Sequence, residues 1–307
     1  MSGRGVLAVV GTPIGNLGDL SFRAASVLLA ADAVVCEDTR RTGKLLAHIR
    51  QLAEDGRVPG HGPGPGQERA DLLVANEHTE FGRIPEILDR LDRGESLALV
   101  TDAGMPTVSD PGAAVIRAVA EAGYRVEVVP GPSAVSAALA MAGLPADRYV
   151  FEGFLPRKGA ERRQRLQGLA AETRTIVVYE APHRVVKTLR DLAAVCGGDR
   201  TVVVARELTK LYEEADRTTL AQAAKRFDHE APRGEFVLVL SGHTASLEKV
   251  GEQDLMAMID RQLAAGATTR DAVSAVVAAT GQPKRRIYDL ANARSSLGAS
   301  NRSDTGV

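Results

Sequence analysis

Small, rigid and polar residues gather in this 307-residue chain wherever a run of aliphatic residues stops. GTPIGNL over Gly11–Leu17 follows VLAVV, and glycines just past a buried strand let backbone approach a ligand closely. Its G-x-P-x-G spacing is neither a dinucleotide fingerprint nor a Walker loop, so a ligand loop and a structural turn are both open. VTDAGMPTVSDPG over Val100–Gly112 combines two Asp, two Gly and two Pro past another strand end, a path too rigid and polar to form at low cost without a ligand. VPGPS over Val129–Ser133 feeds a helix start, whose free amides suit a partial negative charge as well as an ordinary cap.

Charged residues sit at the same kind of junction. YEAPHR over Tyr179–Arg184 is either a site or a salt-bridged contact between domains. CEDTRR over Cys36–Arg41, with Glu77 and His78 beyond a third strand, brings Glu37, Asp38, Glu77 and Asp102 to the carboxyl edge of one sheet. Acid–imidazole groups can hold a metal, but no H-x-x-E-H or cysteine spacing occurs, so none is expected. FLPRKGAERRQR over Phe154–Arg165 sets five basic residues against one acid in the nine positions 157–165, as a solvated helix face or a grip on phosphates.

The elements that must position these residues alternate. Strands are predicted at 6–10, 33–36, 72–75, 96–100 and 125–129, with a helix that starts near Asp19 or Ser21 and further helices at about 40–49, 83–93, 111–122 and 133–143. Residues 50–71 contain GRVPGHGPGPG and read as a flexible loop insertion. Leu144 and Pro145 look like a hinge. Strands at 149–154, 175–179, 201–205 and 236–240, with helices at about 160–171, 183–195 and 218–228, make a second α/β domain. From Ser246 the pattern is helical; Gly281–Pro283 breaks it between two helices, in the manner of a helix-turn-helix. The expected organisation is an N-terminal α/β domain over 1–145 with a parallel sheet, a second over 146–243, a helical domain over 247–295 and a disordered tail over 296–307.

Composition limits the partners. At 44% hydrophobic and 25% charged residues the chain is that of an ordinary globular protein. A net charge of −1 gives no global attraction to nucleic acid, so any RNA surface must be local. Cys36 and Cys196 read as buried thiols, and the longest apolar runs are too short for a membrane span, which makes the cytoplasm the expected compartment.

In this order the motifs resemble the ribosomal RNA small subunit methyltransferase I family, of the tetrapyrrole-methylase superfamily. TPIGNLGDLSFRA, EDTRRTGKLL, TDAGMPTVSDPG, PGPSAVSAAL, GFLPRKG, YEAPHR, ARELTKLYEE and GEFVLV carry the resemblance, from about Gly5 to Leu240. The longer insertion at 50–71, Asn76 and Met105 depart from the usual pattern. The resemblance implies the tetrapyrrole-methylase fold, two α/β domains with S-adenosylmethionine in the cleft between them, a homodimer, and 2′-O-methylation of a decoding-centre cytidine in 16S rRNA of the small ribosomal subunit. A tetrapyrrole methylase acting on a small molecule is the alternative, and a nucleic-acid-binding module without catalysis a third reading.

For that reaction a ribose hydroxyl must lose its proton, so a base helps. Glu37, Asp38, Glu77, His78, Glu180 and His183 are the candidates, with Glu77 and Glu180 foremost. Cofactor contacts are expected from Pro13, Gly104, Pro106, Ser109, Asp110, Ser133, Tyr179 and the turn at Gly234 and Glu235. Arg157, Lys158, Arg162, Arg163 and Arg184 are the candidates for RNA phosphates.

Overall fold

Strict alternation along the first strand assigns its side chains to two layers. Leu7 and Val9 join one buried cluster, Ala8 and Val10 another, as a strand covered on both faces requires. The computed structural model describes residues 5–60, 70–227, 231–243, 251–280 and 282–300. Strands β1 (Val6–Val10), β2 (Ala33–Cys36), β3 (Asp71–Val74), β4 (Ser96–Leu99) and β5 (Arg125–Val129) form a sheet of order β3-β2-β4-β1-β5, parallel at every pairing. Helices α1 (Phe22–Ala30) and α2 (Thr39–Glu54) cover one face through Ala24, Leu28, Leu46 and Ile49. Helices α3 (Glu80–Asp92) and α4 (Ala113–Glu121) cover the other through Ile87, Leu91, Val115 and Val119.

The second sheet is built from β6 (Tyr149–Phe154), β7 (Thr175–Glu180), β8 (Thr201–Arg206), β9 (Glu214–Thr219) and β10 (Phe236–Leu240), in the order β6-β7-β10-β8-β9. Only β6 and β7 run parallel; β10 pairs antiparallel with β7 and β8, and β9 antiparallel with β8. Helices α6 (Gly159–Ala171), α7 (Pro182–Cys196) and α8 (Leu220–Arg226) bury one face of it. The opposite face is covered by α5 (Ala134–Ala142), whose Val135, Ala138 and Leu139 pack on Val177, Val203, Val237 and Val239. The helix that follows the last strand of the first sheet thus belongs to the core of the second. Both sheets lie in one compact unit that ends at Gly242.

A second unit starts at His243 and holds α9 (Glu252–Ala264), α10 (Thr269–Thr280) and α11 (Lys284–Ser300). Leu255, Ile259, Val273, Val276, Ile287 and Ala291 make its core. Residues 296–300 fall in α11; residues 301–307 lie outside the described residues.

Two elements differ from the expectation. Residues 50–54 continue α2 instead of starting the loop, because Ala53 extends the helical stripe of Leu46 and Ile49 into the same cluster; residues 61–69 of the predicted insertion lie outside the described residues. Strand β9, EADRTT, was not legible: it has no alternating apolar face, and it is held as an edge by Glu214 to Arg206 and Arg226 (2.9 and 2.7 Å) and Asp216 to Arg226 (3.2 Å).

Candidate active site

The loops that end β1 and β4 lock together. The Thr12 amide donates to the Gly104 carbonyl (2.9 Å) and the Gly104 amide to Thr12 (3.1 Å), an isolated antiparallel bridge across the rim. The Gly11 amide donates to Val129 (3.0 Å), which draws the loop beyond β5 into the same rim. A Cβ on Gly11 would stand 2.6 Å from the Met105 sulfur and 2.7 Å from the Gly131 backbone, so glycine at 11 and 131 is a packing requirement. Thr107 and Ser109 hold positive φ (74° and 67°) in the loop after β4. Such strain in residues with a Cβ costs about 1–3 kcal/mol each and persists where surrounding structure over-determines it, often at ligand sites.

These loops form one wall of a cavity of about 350 Å³ whose other wall is the second sheet. Gly104, Ser109, Asp110, Ser133 and Tyr179, all expected cofactor contacts, line it. Ile14, Val108, Leu208 and Val237 make an apolar surface inside it that the sequence did not reveal, because such residues read as ordinary core. Tyr179 stacks edge-on between Phe151 and Phe154 (centroids 4.9 and 5.7 Å), and burial, with Asp110 nearby, pushes its phenol up to about 12. Burial and then Asp102 push the Asp110 carboxyl up to about 6. Three expected contacts are not in the lining. Pro106 is buried behind the loop, and Pro13 lines a neighbouring cavity of about 260 Å³. Gly234 sits one residue from the lining Glu235 at φ 85°, where a Cβ would meet the Glu207 side chain at 2.5 Å.

The predicted catalytic residues separate. Glu77 and His78 are exposed in the Asn76–Thr79 turn and line neither cavity. His183 is exposed in the first turn of α7. Glu180 borders the large cavity, yet its carboxylate is committed. It accepts from Thr188 Oγ1 (2.5 Å) and the Ala181 amide (2.9 Å), and pairs with Arg184 Nε (3.1 Å). Asp38 caps α2 and pairs with Arg40 (2.6 Å), which holds its carboxyl far below the usual range.

Glu37 differs from these. Its Oε1 is buried without a hydrogen-bond partner among the described residues. Burial, then Asp110 and Asp102, push its carboxyl up to about 7, against the lowering effect of Arg41. Asp102, paired with Arg41 at 3.3 Å, is itself raised, by burial first. A half-buried acid that titrates near neutrality is suited to take and release a proton.

The basic segment splits in two. Arg157, Lys158 and Arg163 are exposed around the start of α6. Arg162 is 4% exposed; it donates to Asp191 (2.8 and 3.1 Å), Thr188 Oγ1 (3.0 Å) and the Pro156 carbonyl (2.8 Å). Arg184 points inward to Glu180 and the Leu155 carbonyl. For these two the phosphate expectation is corrected: their donors are consumed by the protein, because the i, i+4 stripe of α6 turns Arg162 toward Leu166 and Leu169 in the core. Among the described residues no group of three or more His, Cys, Asp or Glu could hold a metal ion, and no helix is long and apolar enough to cross a membrane.

Residues 6–224 match the family model described as Tetrapyrrole (Corrin/Porphyrin) Methylases. The chain is 42% identical to Ribosomal RNA small subunit methyltransferase I of Synechocystis sp. over 93% of its length and 97% of that relative. To proteins of the same name it is 43% identical in Thermotoga maritima (78% and 99% covered) and 41% in Escherichia coli O157:H7 (85% and 84% covered). In fold it is similar to a cobalt precorrin-4 methyltransferase (TM-score 0.52, 20% identity, 78% and 95% covered) and to diphthine synthase (TM-score 0.54, 15% identity, 78% and 91% covered).

Proposed function

The chain belongs to the ribosomal RNA small subunit methyltransferase I family within the tetrapyrrole methylases, and on that premise we propose that it transfers a methyl group from S-adenosylmethionine to the 2′-hydroxyl of a decoding-centre cytidine in 16S rRNA of the small ribosomal subunit. The observation that carries the reading is the apolar cavity closed by a strained loop, with Asp110 at its edge and Glu37 coupled to it.

The donor set suits the methyl donor. Asp110 and Glu235 offer carboxylates for its cationic groups, and the amides at the start of α5, beside Ser133, offer positive potential for its carboxylate. Ile14, Val108, Leu208 and Val237 offer apolar surface for its adenine. Bound there, S-adenosylmethionine supplies an electrophilic methyl group on a positively charged sulfur. The walls exclude water and hold the reactants in line. Glu37 lines neither cavity but is coupled to Asp110 and Asp102, which do; its Oε1 has no partner among the described residues, and its carboxyl, pushed up to about 7, is the sink for the proton released by the ribose hydroxyl. Glu180 and Arg184 fix the α7 junction behind the wall.

Arg157, Lys158 and Arg163 are the residues of the basic segment that remain available to RNA phosphates. Activity in the cytoplasm as a homodimer belongs to the same reading. The exposed Val128 on edge strand β5 and Tyr149 on edge strand β6, with the exposed Leu211 and Tyr212 between β8 and β9, support association of two copies. The deciding experiment is transfer of a tritiated methyl group to isolated small ribosomal subunits, followed by nuclease digestion and mass spectrometry. Label on one cytidine ribose is expected. No label, or label on a base, refutes the reading.

A further inference from the structure

The smaller cavity shares a wall with the larger one. That wall is the Thr12–Gly104 bridge: Ile14 and Gly104 face the large cavity, Thr12 and Asp102 the small one. Glu37 is electrostatically coupled to residues of both, Asp110 on one side and Asp102 and Arg41 on the other.

The small cavity is lined by residues with buried polar atoms that have no hydrogen-bond partner among the described residues. Thr101 lines it and is only 4% exposed, yet its hydroxyl has no hydrogen-bond partner among the described residues. Asp102 also lines it; its carboxylate pairs with Arg41 through Oδ2 and takes a backbone hydrogen bond from Asp38, while Oδ1 is buried without a side-chain partner among the described residues. A buried polar atom left unsatisfied loses its hydration without compensation, so two neighbours in one cavity point to a ligand that completes them. The remaining lining sets the class of that ligand. Arg41 and Lys44 on α2 are exposed cations at its mouth, and Leu17 and Leu45 give an apolar surface suited to a ring face.

We propose that this second cavity is the subsite for the acceptor nucleotide, which rests on the reading of the chain as an RNA ribose methyltransferase and adds to it where the substrate sits. Arg41 and Lys44 hold phosphates flanking the nucleotide. The base lies on Leu17 and Leu45. Asp102 Oδ1 is an acceptor only, and so selects a base that carries an exocyclic amine over one that carries a carbonyl at the same position. The Thr101 hydroxyl satisfies a second polar atom of the base edge.

The test uses the full chain with threonine and methionine methyl groups labelled for NMR, titrated with cytidine 5′-monophosphate, uridine 5′-monophosphate and inorganic phosphate. Cytidine 5′-monophosphate is expected to shift the Thr101, Thr12 and Thr42 methyl signals. Uridine 5′-monophosphate should bind about tenfold more weakly, the discrimination one good base contact supplies. Arg41→Ala and the isosteric Thr101→Val should each weaken the cytidine nucleotide severalfold, and Asp102→Asn should abolish the preference over uridine. All three variants should bind S-adenosylhomocysteine as the unaltered protein does, which also reports that they are folded. The assignment is overturned if cytidine 5′-monophosphate moves only Met105 in the large cavity, if phosphate alone reproduces the shifts, or if Arg41→Ala and Thr101→Val bind the nucleotide unchanged. Transfer of label to small subunits is scored separately. Label without a nucleotide response at Thr101 sinks the subsite alone, and a nucleotide response without label sinks the ribosomal reading alone.

Discussion

Replacing Arg162 with alanine asks whether this cation serves the interior or the RNA. The side chain is 4% exposed and makes four hydrogen bonds that tie α6 to Asp191 and Thr188 on α7 and to the Pro156 carbonyl. Removing one partner of a buried ion pair costs about 3–5 kcal/mol. Asp191 keeps Lys187 at 2.7 Å and is 30% exposed, which places the loss at the low end, about 3 kcal/mol. For a unit of this size each kcal/mol shifts the melting temperature by about 2–4 °C, so Arg162→Ala should melt about 6–12 °C lower, read by circular dichroism. Arg163→Ala, one residue away and exposed, should stay within about 0.5 kcal/mol of the unaltered protein. Fluorescence anisotropy with an RNA fragment of the substrate, at a temperature where both variants are folded, completes the contrast. Arg163→Ala should weaken binding and reduce the salt slope by about one, and Arg162→Ala should do neither. If Arg162→Ala melts with the unaltered protein and flattens the salt dependence, the interior assignment is wrong.

Glu37→Gln should lower single-turnover methyl transfer by about 10²-fold or more, while Glu77→Gln, exposed in the Asn76–Thr79 turn, stays within about twofold; equal losses would remove Glu37 from the mechanism. The same variant should change the pH dependence of stability. Glu37 rises from 4.5 to about 7 on folding, so the folded state holds a proton that the unfolded chain has already lost, and stability falls as pH rises through that window. Allowing for partial solvent screening, the loss is about 2 kcal/mol; urea midpoints at pH 5 and 8 should differ less in Glu37→Gln, and an unaltered difference contradicts the coupling. Gly11→Ala would drive a methyl into Met105 and Gly131 and should cost about tenfold or more in S-adenosylhomocysteine affinity by calorimetry, with secondary structure retained; unchanged affinity would show that the rim is not tightly packed.

Where ligand loops could stand was legible from the order of residues alone. Five strand-like runs, each followed within three residues by glycine, proline or a carboxylate, were enough to predict a parallel sheet and its reactive rim, because a strand buried on both faces leaves a strong local signal. Gly104, Ser109, Asp110 and Ser133, beyond the ends of β4 and β5, line the large cavity for that reason, and Tyr179 enters its lining from β7 of the second sheet. Burial and partnership were not legible. Glu37, Glu77 and Glu180 look alike in a sequence, yet one has a buried oxygen with no partner among the described residues, one is exposed and one is consumed by Thr188 and Arg184. Arg162 and Arg163 are neighbours that a helix turns to opposite environments. Which acid titrates near neutrality, and which cation faces solvent, depends on charges and carbonyls brought from distant strands, such as Asp102 and Asp110 to Glu37. Desolvation and Coulomb energy act through space, so only the tertiary structure could decide between those residues.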